Sequence, residues 1–442
     1  MINYTRLLLV FLMVGGALSA SAQSTATNSS PYSRYGLGLL NDPTTAQTRG
    51  MGGLGVATNQ IGGYSTINMV NPAAYTTFGR YTIIDVGVSS NTQLLSQTGV
   101  ATNQANSNFR LSHFAFGVPI SKRSGLSFGL LPYSEVGYNN TTTNIHRSSG
   151  AAGQTDTTVN TVYSGDGGLS KAYIGYGFGI GPHLKLGGNV SYIFGNLHNY
   201  GNIEFPDLNS AYNSRVEQSQ AIGGINYDFG AQYSVDFSET KRLIFGYSGS
   251  ASTKLNSRRD YITSQYLRDA GGNENIAIDT LVNSLGVSSK IKLPLIQHFG
   301  ITFQNDRRFL IGAEYITSKW SNYSIDGVNQ GLQNSEGYRI GGQITPNVDA
   351  LRNYFARMDY RLGFKYDKSN LNLNGTDIKA YAATFGLGFP LPRNNNAFYK
   401  INFSAELGKR GTLQNNLVEE KFITLHLSFT LNDLWFIKYR FD

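Results

Sequence analysis

From Gly79 onward the chain consists of segments of roughly ten to fourteen residues in which apolar and polar side chains alternate, and none approaches the roughly 18 consecutive apolar residues that a spanning helix needs. In Leu184-Lys-Leu-Gly-Gly-Asn-Val-Ser-Tyr-Ile-Phe194, the residues Leu184, Leu186, Val190, Tyr192 and Phe194 share one face, and Lys185, Asn189 and Ser191 share the other. Segment 225–235 repeats the pattern, with Asn226, Asp228, Gln232 and Ser234 opposite its apolar residues. In 357–366, Met358, Tyr360, Leu362, Phe364 and Tyr366 face away from Arg357, Asp359, Arg361 and Lys365. Period two dictates strands with one apolar and one polar face. A soluble sandwich would also alternate, burying its apolar faces. Composition favours a membrane wall instead: charged residues are 14% of the chain, against about 25% in an ordinary soluble domain. Tyr (28), Phe (25) and Gly (51) are abundant.

The N-terminus reads as an export signal. Arg6 is followed by an apolar run from Leu7 to Val14, then small residues ending Ala20-Ser-Ala22, which predicts cleavage before Gln23 and removal of residues 1–22. With no cysteine, there is no disulfide framework, no thiolate metal site and no lipid-modified N-terminal cysteine. The net charge of +8 is dispersed, without a Lys/Arg block, so nucleic acid is not an expected partner. Outer-membrane lipid and lipopolysaccharide are.

Connections alternate in length. Short ones fall at 121–124, 181–183, 238–241, 305–308 and 392–396, and long polar ones near 139–169, 199–218, 257–289, 318–336, 367–377 and 410–419. In outer-membrane barrels short turns are periplasmic and long loops extracellular. Strands near 81, 109, 126, 171, 184, 220, 243, 291, 309, 337, 355, 378, 398 and 421 make about fourteen. The expected fold is therefore all-β, a transmembrane antiparallel barrel over 80–432. The run 423–431 would close it and 433–442 would be a periplasmic tail. Residues 23–79 lack strand periodicity, carry Arg49-Gly-Met-Gly-Gly-Leu-Gly55, and suit an irregular N-terminal hatch inside the lumen.

Four stretches resemble the FadL/TodX family of outer-membrane hydrophobic-compound transporters. They are Asn71-Pro72-Ala73 before the first strand; Gly125 to Ser134, with Pro132-Tyr133; Lys290-Ile-Lys-Leu-Pro294 followed by Phe299-Gly-Ile301; and Ala313-Glu-Tyr315 with Trp320-Ser. The resemblance implies a fourteen-stranded barrel plugged by an N-terminal hatch. It further implies passive uptake of hydrophobic small molecules of the long-chain fatty acid class, with lateral exit at a kinked third strand. Asn71, Pro72, Ala73, Pro132 and Tyr133 are then hatch and gate residues. Pro132 lacks an N–H and so deletes a ladder bond. Asp228, Glu314, Arg357, Asp359, Arg361 and Lys365 are lumen candidates that hold the hatch, bind a carboxylate or hydrate the wall. FadL-like barrels also serve as non-transporting accessory or scaffold subunits of secretion or protein-assembly complexes, with protein partners, and that is the alternative expectation.

Little catalytic chemistry is legible. Gly50-Met-Gly-Gly-Leu-Gly55 matches G-x-G-x-x-G but no strand precedes it, so no dinucleotide site follows. The six histidines show no metal spacing, and no cofactor, metal or catalytic residue is expected. A Ser/His/acid set drawn from His113, His298 or His426 is left open by the sequence. So is Ca²⁺ binding by Asp269-Ala-Gly-Gly-Asn-Glu274.

Overall fold

The computed structural model describes residues 29–58, 64–99, 104–146, 156–208, 211–268, 279–392 and 397–435, and in it the alternating segments form one antiparallel sheet that closes on itself. In chain order the strands are β1 (Thr82–Gln97), β2 (Gln104–Ser121), β3 (Ser124–His146), β4 (Thr157–Ile180), β5 (Leu184–Glu204) and β6 (Asn213–Asp236). Next come β7 (Lys241–Ser250, continued by Lys254–Tyr266) and β8 (Asp279–Lys292, continued by Ile296–Asn305). Then follow β9 (Phe309–Ser318), β10 (Ser335–Ile344), β11 (Asp359–Leu373), β12 (Thr376–Pro390), β13 (Ala397–Gly411) and β14 (Val418–Asp433). Both halves of β7 pair with β6, which makes β7 one wall strand broken at 251–253, and β8 is broken likewise at 293–295. The last strand returns to the first, from Val418 opposite Gln97 to Asp433 opposite Thr82, so the barrel has fourteen strands.

The two faces of the wall are inverted relative to a soluble sandwich. Val190, Tyr192, Ile225, Tyr227 and Leu362 point out and are about half exposed or more, while Asn189, Ser191, Asn226, Gln232, Asp359 and Arg361 point in and are buried. Apolar residues facing out and polar residues facing in is the arrangement lipid imposes.

Several expectations need correction. The stretches 139–169, 199–218 and 257–289 are mostly strand: β3 runs to His146, β6 begins at Asn213 and β7 reaches Tyr266. The loop expected over 367–377 is a tight hairpin, because Asn374 and Gly375 adopt φ of 51° and 74°, the left-handed pair a two-residue turn needs. The strand placed near 355 begins only at Asp359. Before it, Asn353 caps a short helix, Tyr354–Arg357, accepting from the Ala356 N–H at 3.3 Å. Arg357 therefore belongs to that helix and not to the row of inward charges, and Met358 is buried, not lipid-facing. The expected leader (1–22), the Asp269 to Glu274 loop and the tail beyond Trp435 lie outside the described residues.

Residues 29–81 precede β1, and the part described packs against inward faces of the wall. What seats it is glycine meeting backbone. A Cβ on Gly187 would lie 2.4 Å from the Pro72 carbonyl carbon, and one on Gly363 would lie 2.2 Å from the Gly52 nitrogen. Gly52 itself has φ of 74°, which favours glycine. The Gly-rich run 50–55 is thus a contact surface for the wall and not a phosphate loop. One prediction isolates this contact. Gly187→Val should lower the temperature at which the folded barrel loses its compact band in SDS gels, since overpacking of this kind costs about 1–3 kcal/mol. Gly188→Val should change it little, because only the Asp228 carbonyl oxygen, at 3.6 Å, lies near that position.

Candidate functional site

The hatch is held by polar groups as well as by shape. Asn71 caps a 3-10 helix, Pro72–Thr77, by accepting from the Ala73 N–H at 3.0 Å. Its amide donates to the carbonyls of Val56 (2.7 Å), Ala231 (3.2 Å) and Tyr247 (3.3 Å), tying two parts of the hatch to β6 and β7. Pro72 supplies the first helical residue, which needs no N–H, and Ala73 is fully buried. On β9, Glu314 Oε2 accepts from the N–H groups of Gly55 and Val56 at 3.0 and 3.1 Å, while its Oε1 lies 3.2 Å from His298 Nδ1. Thr384 on β12 accepts from the Gly52 N–H at 2.8 Å.

Of the remaining lumen candidates, Asp228, Asp359, Arg361 and Lys365 form ion pairs with one another or with other wall residues. Asp228 pairs with Lys171 at 2.6 Å. Asp359 contacts Arg361 (2.6 Å), Lys400 (2.7 Å) and the Thr345 hydroxyl (2.8 Å). Lys365 pairs with Glu406, which also faces Arg49 of the hatch at 3.5 Å. Asp42 of the hatch sits 3.4 Å from Arg339, itself 2.7 Å from Asp367. Burial opposes ionisation of Asp42, but Arg339, Lys365 and Arg49 outweigh it and hold its carboxyl below the usual range. Arg49, Lys171, Arg339, Lys400 and Glu406 were not singled out from the sequence. All but Arg49 occupy inward positions of the alternation, which is the signal that could have found them. Each of the three wall histidines left open for catalysis faces a carboxylate: His113 with Asp85, His298 with Glu314 and His426 with Glu406. Between hatch and wall is a cavity of about 350 Å³, lined by Arg49, Glu135, Lys171, Asp228, Arg339 and Lys365 among others.

Pro132 and Tyr133 lie where the wall changes. Pairing of β2 with β3 runs only from Ser121–Ser124 to Phe114–Leu130, and among the described residues no β2–β3 pair lies above it. A bulge between Pro132 and Ser134 interrupts the β3–β4 register at the same level. Above it β2 stays with β1, and β3 stays with β4, leaving a seam. The hatch enters the seam's lower end: Leu39 and Leu40 pair with Glu135 and Ser134, and the Asn41 N–H donates to the Tyr133 carbonyl at 3.0 Å. Arg110 of β2 reaches across to Glu135 of β3 and donates to Asn41 Oδ1 at 3.1 Å. Beside this level Leu37, Val136, Tyr138, Leu169, Ile193, Leu197, Ile222, Leu255, Ile291, Leu293, Trp320 and Tyr323 pack into a buried apolar core.

Glu314 provides a test of how the hatch is fastened. Glu314→Ala leaves two buried N–H donors unpaired, at about 1–3 kcal/mol each, and should speed protease cleavage of the hatch in the folded barrel. Glu314→Gln keeps an acceptor and should be milder.

Similarity to solved structures agrees with the fold. The toluene transporter TbuX of Ralstonia pickettii superposes with a TM-score of 0.57 at 14% identity, covering 89% of this chain and 99% of that one. A FadL homologue of Pseudomonas aeruginosa gives 0.55 at 14% identity, covering 90% and 99%. The toluene transporter TodX of Pseudomonas putida gives 0.53 at 11% identity, covering 90% and 99%. Identities this low establish a shared FadL-like fold alone. Comparison with curated proteins gives no match. The sequence resemblance to FadL/TodX therefore describes the architecture, while the family is set by a model that matches residues 1–442 throughout: the chain belongs to the BamG family.

Proposed function

We propose that this chain is a non-transporting accessory barrel of the Bam complex, which assembles proteins into the outer membrane of Gram-negative bacteria, and that it works through protein partners without catalysis. Its family membership supports the partnership. The observation that carries the choice against uptake is the match of the whole chain to the BamG family. A hydrophobic cargo needs a mostly apolar site. The 350 Å³ cavity here is mixed, with apolar lining that includes Leu39, Met69, Leu131, Ile316 and Trp320 beside ion-paired Lys171, Asp228, Arg339 and Lys365 and Arg49 of the hatch. Part of the inward apolar surface is packed against Leu37 of the hatch, among it Val136, Leu169, Ile193 and Trp320. On this reading the hatch fixes the shape of the barrel.

Purification of the full chain from native membranes in mild detergent should bring stoichiometric Bam subunits with it. Depleting the chain should lower the amount of folded outer-membrane proteins while leaving uptake of toluene and long-chain fatty acids unchanged. Migration as a lone barrel, together with reduced uptake, would restore the transporter reading.

A further inference from the structure

The wall is uneven in height. Strands β9 and β10 have 10 residues each, enough to cross the bilayer, but β3, β4 and β6 have 23, 24 and 24. Their surplus stands beyond the membrane at the end away from the short turns, and at about 3.3 Å per residue it is considerable. The raised sheet ends on one side at β3, along the seam described above.

Which backbone groups of β3 face the seam follows from contacts already made. The Gly137 N–H donates to Ser33 Oγ at 3.0 Å and its carbonyl accepts from the same hydroxyl at 3.0 Å. The β3–β4 register is unbroken from Ser134 to His146. In a regular antiparallel strand, groups two residues apart point the same way. The N–H and C=O groups of Asn139, Thr141, Thr143 and Ile145 therefore face the seam, and those of Asn140, Thr142 and Asn144 face β4. Among the described residues no strand pairs with β3 along the seam above Glu135.

Edge strands of this length are ordinarily blunted by Lys, Pro or bulges. The opposite edge of the raised sheet follows that rule. β8 is broken by register shifts between Thr280 and Val282 and between Ser284 and Val287. The β3 edge has none of these devices: Asn139-Asn-Thr-Thr-Thr-Asn-Ile145 is uncharged, free of Pro and regular. Directly below, the same edge already accepts an added strand, since Leu39 and Leu40 of the hatch pair with it.

We propose that the seam-facing edge of β3 from Asn139 to Ile145 binds an extended polypeptide segment of an assembly partner by strand addition, continuing the line of Leu39–Leu40. Main-chain hydrogen bonds supply the attraction, and the exposed side chains of Thr141 to Ile145 supply what selectivity there is. The inference rests on the Bam-subunit reading and names the surface through which it operates.

Residue-resolved amide exchange tests it, comparing the full chain purified with its Bam partners against the full chain stripped of them in the same detergent. The amides of Asn139, Thr141, Thr143 and Ile145 should exchange about tenfold or more slower in the complex, while those of Asn140, Thr142 and Asn144 stay slow in both. Equal exchange of the odd-numbered amides in the two samples overturns the proposal, as does protection already present in the stripped barrel. A Thr141→Pro/Thr143→Pro double variant removes two seam-facing donors and leaves the bonds to β4. It should fold to a heat-modifiable barrel but retain at least about tenfold less partner. A folded variant that keeps its partner refutes strand addition. Wild-type protein that carries Bam subunits yet shows no alternating protection refutes this inference alone, whereas wild-type protein that carries none refutes the functional reading and this one with it.

Discussion

Inside a bilayer no water is available to satisfy a peptide group, and the structure is organised around that constraint. Each strand has to find two neighbours, and the last has to find the first. The sixteen-residue ladder between β14 and β1 satisfies the requirement. Once the sheet is closed, alternation decides the rest: lipid takes one side of every strand, and buried charges such as Asp359, Arg361 and Glu406 are left on the other. The interior polarity of this barrel is a consequence of closure and needs no transported solute to explain it.

A polar interior creates a second problem, that of buried charge without water. It is met here by pairing, both between wall strands and between wall and hatch. Asp359 sits among Arg361, Lys400 and Thr345, while Glu406 is shared by Lys365 and Arg49. Wall glycines bring the hatch backbone close enough for Glu314 and Thr384 to reach its N–H groups. Shape and charge therefore act together: without the glycines the polar contacts would be out of reach, and without those contacts the hatch would bury unpaired donors.

Much of this was legible in the sequence because membrane strands carry their own signal. Period-two alternation marks the fourteen strands, with Ile423 to Leu431 in the closing one. The signal failed where local chemistry overrode it. In 353–358 the alternation continues on paper, but the Asn353 cap turns the chain into a helix, so Arg357 and Met358 left the faces assigned to them. Polar stretches such as 139–146 resembled loops because a strand standing in water on both sides shows no apolar face. The partners of the lumen charges were unreadable for another reason. Lys171 and Asp228 lie on β4 and β6, two strands apart, and pairing across a lumen depends on register, which one strand alone does not encode. The resemblance to transporters likewise captured architecture and not use.

The unequal height of the wall has one more consequence. A barrel of even rim looks the same from every direction in the membrane plane, so a neighbour cannot tell how it is rotated. With β3 to β6 standing tall and β9 and β10 cut short, this one has an azimuth: a high side, a low side and a seam at a fixed angle between its first strands and its tallest. Any protein that meets it in the plane of the membrane meets an oriented object.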